Sequence, residues 1–166
     1  MIESLLERLG IPYKRYEHQP LHDCLEADRL GLQRSGTRLK NLFLRDNYGR
    51  RHFLLLTRHD KAVDLKALSR QLGISRLGFA SNERLEKYLG VKPGSVSLLA
   101  LVNDSARQVE LWLDEEIWQA EEFQCHPLVN TVTLVLPKSG LLRFCEHLGH
   151  KPLVLEVPGA KQGKGR

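Results

Sequence analysis

The stretch RLKNLFLRDNYGRRHFLLL, residues 38–56, decides how this chain is read. Two apolar runs, LKNLFLR and RHFLLLT, flank Asp46-Asn47-Tyr48-Gly49, a group of turn-forming residues. That pattern predicts a β-hairpin. Lys40 and Asn41 sit in the first run, against apolar neighbours. They are either an ordinary strand end or a pair that faces a site and holds something anionic.

Working outward, residues 2–9 place Ile2, Leu5, Leu6 and Leu9 on one helical face, with Gly10 as the stop. IPYKRYEH alternates like a strand, and residues 23–32 read as a second helix with Asp23 as N-cap. Asp64 and Ser81 open two further helices that Gly73 and Gly90 end. RLGFA, VSLLALV, QVELWLD, NTVTLVLP and PLVLEV read as strands, VKPGS as a turn, EEIWQA as a short helix and SGLLRFCEHLG as a helix. The result is roughly seven strands and five helices in irregular alternation. That excludes a regular βαβ repeat and predicts an α+β fold: a mixed, partly barrel-like sheet flanked by helices. One domain is expected over residues 1–158, followed by a basic flexible tail, 159–166.

Composition narrows the class. Of 166 residues 42% are hydrophobic and 27% charged, enough for a sizeable core. No apolar run approaches the ~20 residues that span a bilayer. The first helix carries acids where a signal peptide is basic, so a cytoplasmic protein is expected. The three cysteines, Cys24, Cys125 and Cys145, are odd in number and widely spaced, which argues against a disulfide framework. Residues 34–76 hold eleven Lys/Arg against three Asp/Glu, a net +8, and residues 77–125 hold four against nine, a net −5. A segregated basic region suits a polyanion such as RNA. The plainer reading is a solvated face whose charges pair across the fold.

The chemistry-bearing motifs are sparse. There is no P-loop and no dinucleotide fingerprint. His147 and His150 are separated by Gly149 and have no third ligand nearby, so no metal is expected. Cys125 and His126 are neighbours in an extended segment and point to opposite faces, which argues against a Cys-His dyad. Two features remain. Proline after His126 holds that histidine in extended geometry. KPGSVS, residues 92–97, is either a plain turn or a loop that exposes consecutive backbone N–H groups to an anion or oxyanion.

LKNLFLRD, GFASNERLEKYLGVKPGSVS, LVND and FQCHPLVNTVTL together resemble the YbaK/ProX-type editing domains, and most of all their prolyl-tRNA editing branch. The resemblance runs from about residue 2 to residue 156. It implies a freestanding aminoacyl-tRNA deacylase that removes alanine mischarged onto proline tRNA. It implies that Lys40 grips the 3′-terminal nucleotide and that Asn41 and His126 line the aminoacyl pocket. Gly94 would lead a loop, Gly94-Ser95-Val96-Ser97-Leu98, whose backbone lies near the scissile ester. His22 and Asp23 would touch the aminoacyl group. Positioned water and the tRNA's own 2′-hydroxyl would complete the chemistry, with no metal and no cofactor. The implied partners are the acceptor 3′ end of a tRNA and, as a second candidate, prolyl-tRNA synthetase, with neither membrane nor DNA. Serine, cysteine, threonine or 2-aminobutyrate are alternative amino acids, and an inactive tRNA-binding module is the alternative class. Leu98 stands where the family loop ends in proline, which predicts a looser loop.

Overall fold

The computed structural model describes residues 2–19 and 36–160. The helix expected over residues 23–32, with His22 and Asp23, lies outside the described residues, as does the tail beyond Ala160.

The hairpin forms as its sequence requires. Strands β2 (Leu39–Arg45) and β3 (His52–Arg58) pair antiparallel, from Leu39 opposite Arg58 to Arg45 opposite His52. The turn between them is built on Asp46. Its carboxylate accepts the amides of Arg50 (2.8 Å) and Arg51 (3.1 Å), and Gly49 takes the left-handed φ of 68°. Burial opposes the charge on Asp46, but these amide bonds and the Arg51 charge outweigh it and hold its pKa below the ordinary value.

His52 to Thr57 are all buried, because β3 is central and covered on both faces. The five-stranded sheet runs β4 (Gly78–Phe79), β2, β3, β5 (Val109–Asp114), β8 (Leu153–Leu155). Its β3–β5 and β5–β8 pairs are parallel. A second, antiparallel sheet orders β1 (Lys14–Glu17), β7 (Val132–Pro137) and β6 (Glu122–Cys125). One parallel bridge, Thr37 to Phe123, joins the two sheets. The fold is mixed α+β.

Strand alternation divides the core in two. Phe43, Leu54, Leu56, Leu111 and Leu113 face the larger cluster, which they share with helix α1 (Ile2–Arg8), Phe123, Leu134 and helix α4 (Lys138–Leu148). Leu44, Phe53, Leu55 and Trp112 face a smaller one, closed by Leu68 of α2 (Leu65–Leu72) and by Val157. The expected caps are present. Asp64 accepts from Ala67 N at 3.0 Å, Ser81 accepts from Arg84 N at 3.2 Å to open α3 (Asn82–Leu89), and Gly73 and Gly90 are left-handed.

Three expectations are corrected. VSLLALV is not a strand: Leu98–Asn103 form a 3-10 helix capped by Ser97. A continuous buried apolar run has no period that separates strand from helix. Glu122–Cys125, assigned to no element from the sequence, is strand β6. Gly159 and Ala160 are not loose chain, since Gly159 bridges Val63 and Ala160 N donates to Ala62 O. Among the described residues no helix is long and apolar enough to cross a membrane.

Candidate active site

The site gathers where the two sheets diverge from the Thr37–Phe123 bridge. Lys40 lies three residues past Thr37 on one strand, and His126 lies three residues past Phe123 on the other. The parallel bridge therefore sets the segments that carry them side by side at Thr37 and Phe123. Asn41 follows Lys40 but leaves the opposite face of β2, because side chains alternate. Asn41 shares its face with Leu39 and Phe43 of the larger core, and Lys40 shares its face with Leu42 and Leu44 of the smaller one. The two side chains therefore leave β2 on opposite faces.

Lys40 Nζ donates to the carbonyl of Lys61. A carbonyl orients an ammonium without neutralising it. Lys61 is itself held by a buried network. Its Nζ donates to Asp114 Oδ2 at 2.7 Å and to Val157 O at 2.8 Å, and it also pairs with Glu116. Thr57, the cross-strand partner of Lys40, donates to the same Asp114 oxygen at 2.5 Å. Burial opposes the charge on Lys61, but the two carboxylates more than compensate and raise its pKa above the ordinary lysine value. Lys40 thus rests on a rigid base.

His126 projects from the end of β6, half-buried, with Cys125 turned into the core behind it. Burial pushes the Cys125 thiol up to about 12, so it stays protonated and takes no part as a nucleophile. His126 Nδ1 lies 3.1 Å from Val132 O. A carbonyl only accepts, so Nδ1 carries the proton and Nε2 of the neutral ring is the acceptor nitrogen. The turn that follows holds Leu128 at φ 71°, a left-handed conformation that costs a non-glycine residue about 1–2 kcal/mol. Leu128 packs against the larger core, which offsets the strain.

The loop 92–97 is latched to this histidine. Ser95 N donates to Lys92 O at 3.0 Å, with Pro93 and a left-handed Gly94 (φ 89°) between them, the geometry of a type II turn. Ser97 Oγ donates to the His126 carbonyl at 2.5 Å and accepts from Leu99 N at 3.1 Å. Ser97 is therefore a structural latch rather than a nucleophile. The Ser95 amide closes the turn, so the loop's candidates for an oxyanion are the amides of Gly94, Val96 and Ser97. Leu98 does not loosen the loop. It is fully buried at the first position of the 3-10 helix, where its side chain supplies by packing the anchor that proline supplies through φ.

His18, just past β1, was not singled out from the sequence. Its ring lies edge-on to His126, with centroids 6.3 Å apart. Its Nδ1 donates to Gln19 O at 2.8 Å, so its Nε2 accepts from Thr133 Oγ1, also at 2.8 Å. Asn130 stands across from Gly94, with Nδ2 3.7 Å from where a Gly94 Cβ would be. The alternation of IPYKRYEH ends at His18, and that was the only available signal. Among the described residues no group of three His, Cys, Asp or Glu could hold a metal.

The charge segregation is partly used inside the fold. Arg51 makes two bonds to Glu110 (2.8 and 2.9 Å), and Arg58 pairs with Asp60 (2.5 Å) and Glu116 (2.9 Å). Arg51–Glu110 and Arg58–Glu116 join basic residues of 34–76 to acids of 77–125, as the plainer reading expected, whereas Arg58–Asp60 lies within the basic segment.

A family model described as an aminoacyl-tRNA editing domain matches residues 18–144. The prolyl-tRNA editing protein ProX of Acetoanaerobium sticklandii is 34% identical over 152 residues, covering 92% of this chain and 93% of its own. A prolyl-tRNA synthetase associated domain-containing protein 1 from Danio rerio is 37% identical over 156 residues, covering 93% of this chain and 84% of its own. A solved structure proposed as a trans-editing enzyme for prolyl-tRNA synthetase aligns with a TM-score of 0.70 and 19% identity, over 96% of this chain and 95% of that one. That last likeness establishes the fold.

Proposed function

The chain belongs to the aminoacyl-tRNA editing domain family, and from that premise we propose that this aminoacyl-tRNA deacylase removes alanine from mischarged proline tRNA. The observation that carries the reading is the Ser97 latch, which fixes the Gly94 loop to the His126 backbone at 2.5 Å. It joins a loop of backbone donors to an oriented imidazole, and on the neighbouring strand a carbonyl holds Lys40 without neutralising it.

The chemistry follows from these parts. Lys40 takes the phosphate of the terminal nucleotide, an electrostatic contact that positions the ester. The ester carbonyl lies toward the Gly94, Val96 and Ser97 amides, which stabilise the oxyanion as water adds. His126 Nε2, an acceptor in the tautomer that Val132 imposes, orients the water or the substrate's amino group. The tetrahedral intermediate collapses with the ribose oxygen as leaving group, and the neighbouring hydroxyl of the ribose assists its protonation. An activated ester needs no stronger base. His18 and Thr133 brace His126 and are positioning residues. His22 and Asp23 remain the proposed contacts to the aminoacyl group, and prolyl-tRNA synthetase remains a proposed second partner.

Alanine would be selected by size. A synthetase site discriminates poorly against a smaller apolar side chain, since a methylene is worth only ~1–3 kcal/mol, and a second, narrower pocket excludes proline by steric clash. The test is hydrolysis of alanyl-tRNA(Pro) and prolyl-tRNA(Pro) by wild type and by Lys40→Ala. Wild type should release alanine only, and the variant should release neither. Equal release by both proteins would overturn the assignment.

A further inference from the structure

The β2–β3 turn carries a feature that the site does not use. Tyr48 and Phe79 are 69% and 63% exposed, the two most exposed large hydrophobic side chains among the described residues. They sit on adjoining segments. Phe79 is the cross-strand partner of Leu44, Gly78 that of Arg45, and Asn47 N donates to Ser75 Oγ at 3.2 Å. Arg50 lies over the Tyr48 ring, 5.6 Å from its centroid. Arg45 and Arg76 complete the group: Arg45 Nη1 donates to Asp46 O at 3.0 Å, and exposed Arg76 lies between Ser75 and the Gly78–Phe79 strand. The turn's own acid, Asp46, is buried with its carboxylate on backbone amides, and its single charge is outnumbered by those of Arg45, Arg50 and Arg76.

The lip is rigid. Arg84 of α3 donates to Gly49 O at 3.2 Å and lies 3.0 Å from His52 Nε2. Burial and the Arg84 charge lower the His52 pKa, so that nitrogen is an acceptor for the guanidinium. A turn residue between Asn47 and Gly49 needs no aromatic ring for folding, and a ring held in water on a fixed frame is prepared for a partner.

We propose that this lip, formed by the 45–50 turn and the 75–79 segment, docks the acceptor arm of the tRNA whose 3′ end enters the site. The proposal rests on the deacylase reading. The lip stands at the far end of the strand that begins beside Lys40. Arg45 lies five residues on from Lys40, roughly 17 Å at ~3.4 Å per residue. That span fits several nucleotides of one strand. Guanidinium groups suit phosphates, and exposed rings suit the unstacked bases of the single-stranded 3′ end. A protein partner would favour a patch depleted of charge at its centre, which this lip is not.

The test measures binding of uncharged tRNA by fluorescence anisotropy across a salt series. It compares wild type, Tyr48→Ala/Phe79→Ala and Arg50→Ala/Arg76→Ala. Each pair should weaken binding at least tenfold, and the arginine pair should reduce the salt slope by about two. Hydrolysis of a minimal aminoacylated adenosine ester should match wild type, which shows an intact site. Affinities within twofold of wild type would overturn the proposal, as would equal losses on the minimal ester. Variants that keep tRNA affinity but lose binding to prolyl-tRNA synthetase would assign the lip to a protein and overturn it too. The two readings fail separately. Lip-dependent tRNA binding without ester hydrolysis by wild type removes the deacylase alone. Hydrolysis of charged tRNA with lip variants binding like wild type removes the lip alone.

Discussion

Ser97→Ala tests the latch without touching any group that meets substrate through its side chain. Ser97 is 1% exposed, and its hydroxyl makes two bonds, to the His126 carbonyl and from the Leu99 amide. Its removal takes a bond from the part-buried His126 carbonyl and leaves the buried Leu99 N–H without its cap, the latter costing ~1–3 kcal/mol. It also strips the N-cap of the 3-10 helix, a loss that overlaps with the second of these. The expected total is about 2–4 kcal/mol, which for a chain of this size lowers Tm by about 5–15 °C. The damage is local, so hydrogen exchange at the Leu99 amide should accelerate before the sheets are affected. Displacing the Gly94 loop by about an ångström relative to His126 should reduce kcat by about a hundredfold. KM should change little, because Lys40 and the phosphate contacts persist. The assays are urea denaturation, amide exchange and single-turnover deacylation. A Ser97→Ala protein within about 0.5 kcal/mol of wild type and with its full kcat would refute the reasoning.

Other expectations follow from the same network. Asp114→Ala leaves the Lys61 ammonium buried beside one exposed carboxylate and should cost about 3–5 kcal/mol in urea denaturation, whereas Lys61→Met/Asp114→Leu should recover much of it. Gly94→Ala meets no close atom but forces φ 89° on a side chain, so about 1–2 kcal/mol of loop strain and reduced kcat are expected with the global Tm nearly unchanged. Burial lowers the pKa of both His52 and His150, so the unfolded chain binds more protons than the fold as pH drops below ~6.5. The urea midpoint should therefore fall between pH 7.5 and 5, and His52→Gln/His150→Gln should flatten that slope. A midpoint that holds steady in wild type would contradict it.

Much of the fold is legible in the sequence because local chemistry and tertiary role agree. Asp64, Ser81, Gly73 and Gly90 cap the helices they were expected to cap, and the hairpin turns where Asp46 and Gly49 place it. The 3-10 helix at Leu98–Asn103 was misread because its apolar residues are buried all round. Strand β6 was missed because its Glu122 and Gln124 face outward and only Phe123 and Cys125 mark its inner face. The site is less legible, since it depends on neighbours distant in sequence. Lys40 and His126 are named by motif, but the segments that carry them are brought side by side by the Thr37–Phe123 bridge. His18 and Thr133 join His126 through two strands that pair only in the fold. The opposite faces of Lys40 and Asn41 could have been inferred from strand alternation alone.

The central claim is tested most directly by measuring deacylation of alanyl-tRNA(Pro) beside prolyl-, seryl- and cysteinyl-tRNA, with Lys40→Ala as control. Rapid loss of alanine, retention of proline and an inert Lys40→Ala variant are predicted. Retention of alanine at the uncatalysed rate, or equal loss of proline, would contradict the account.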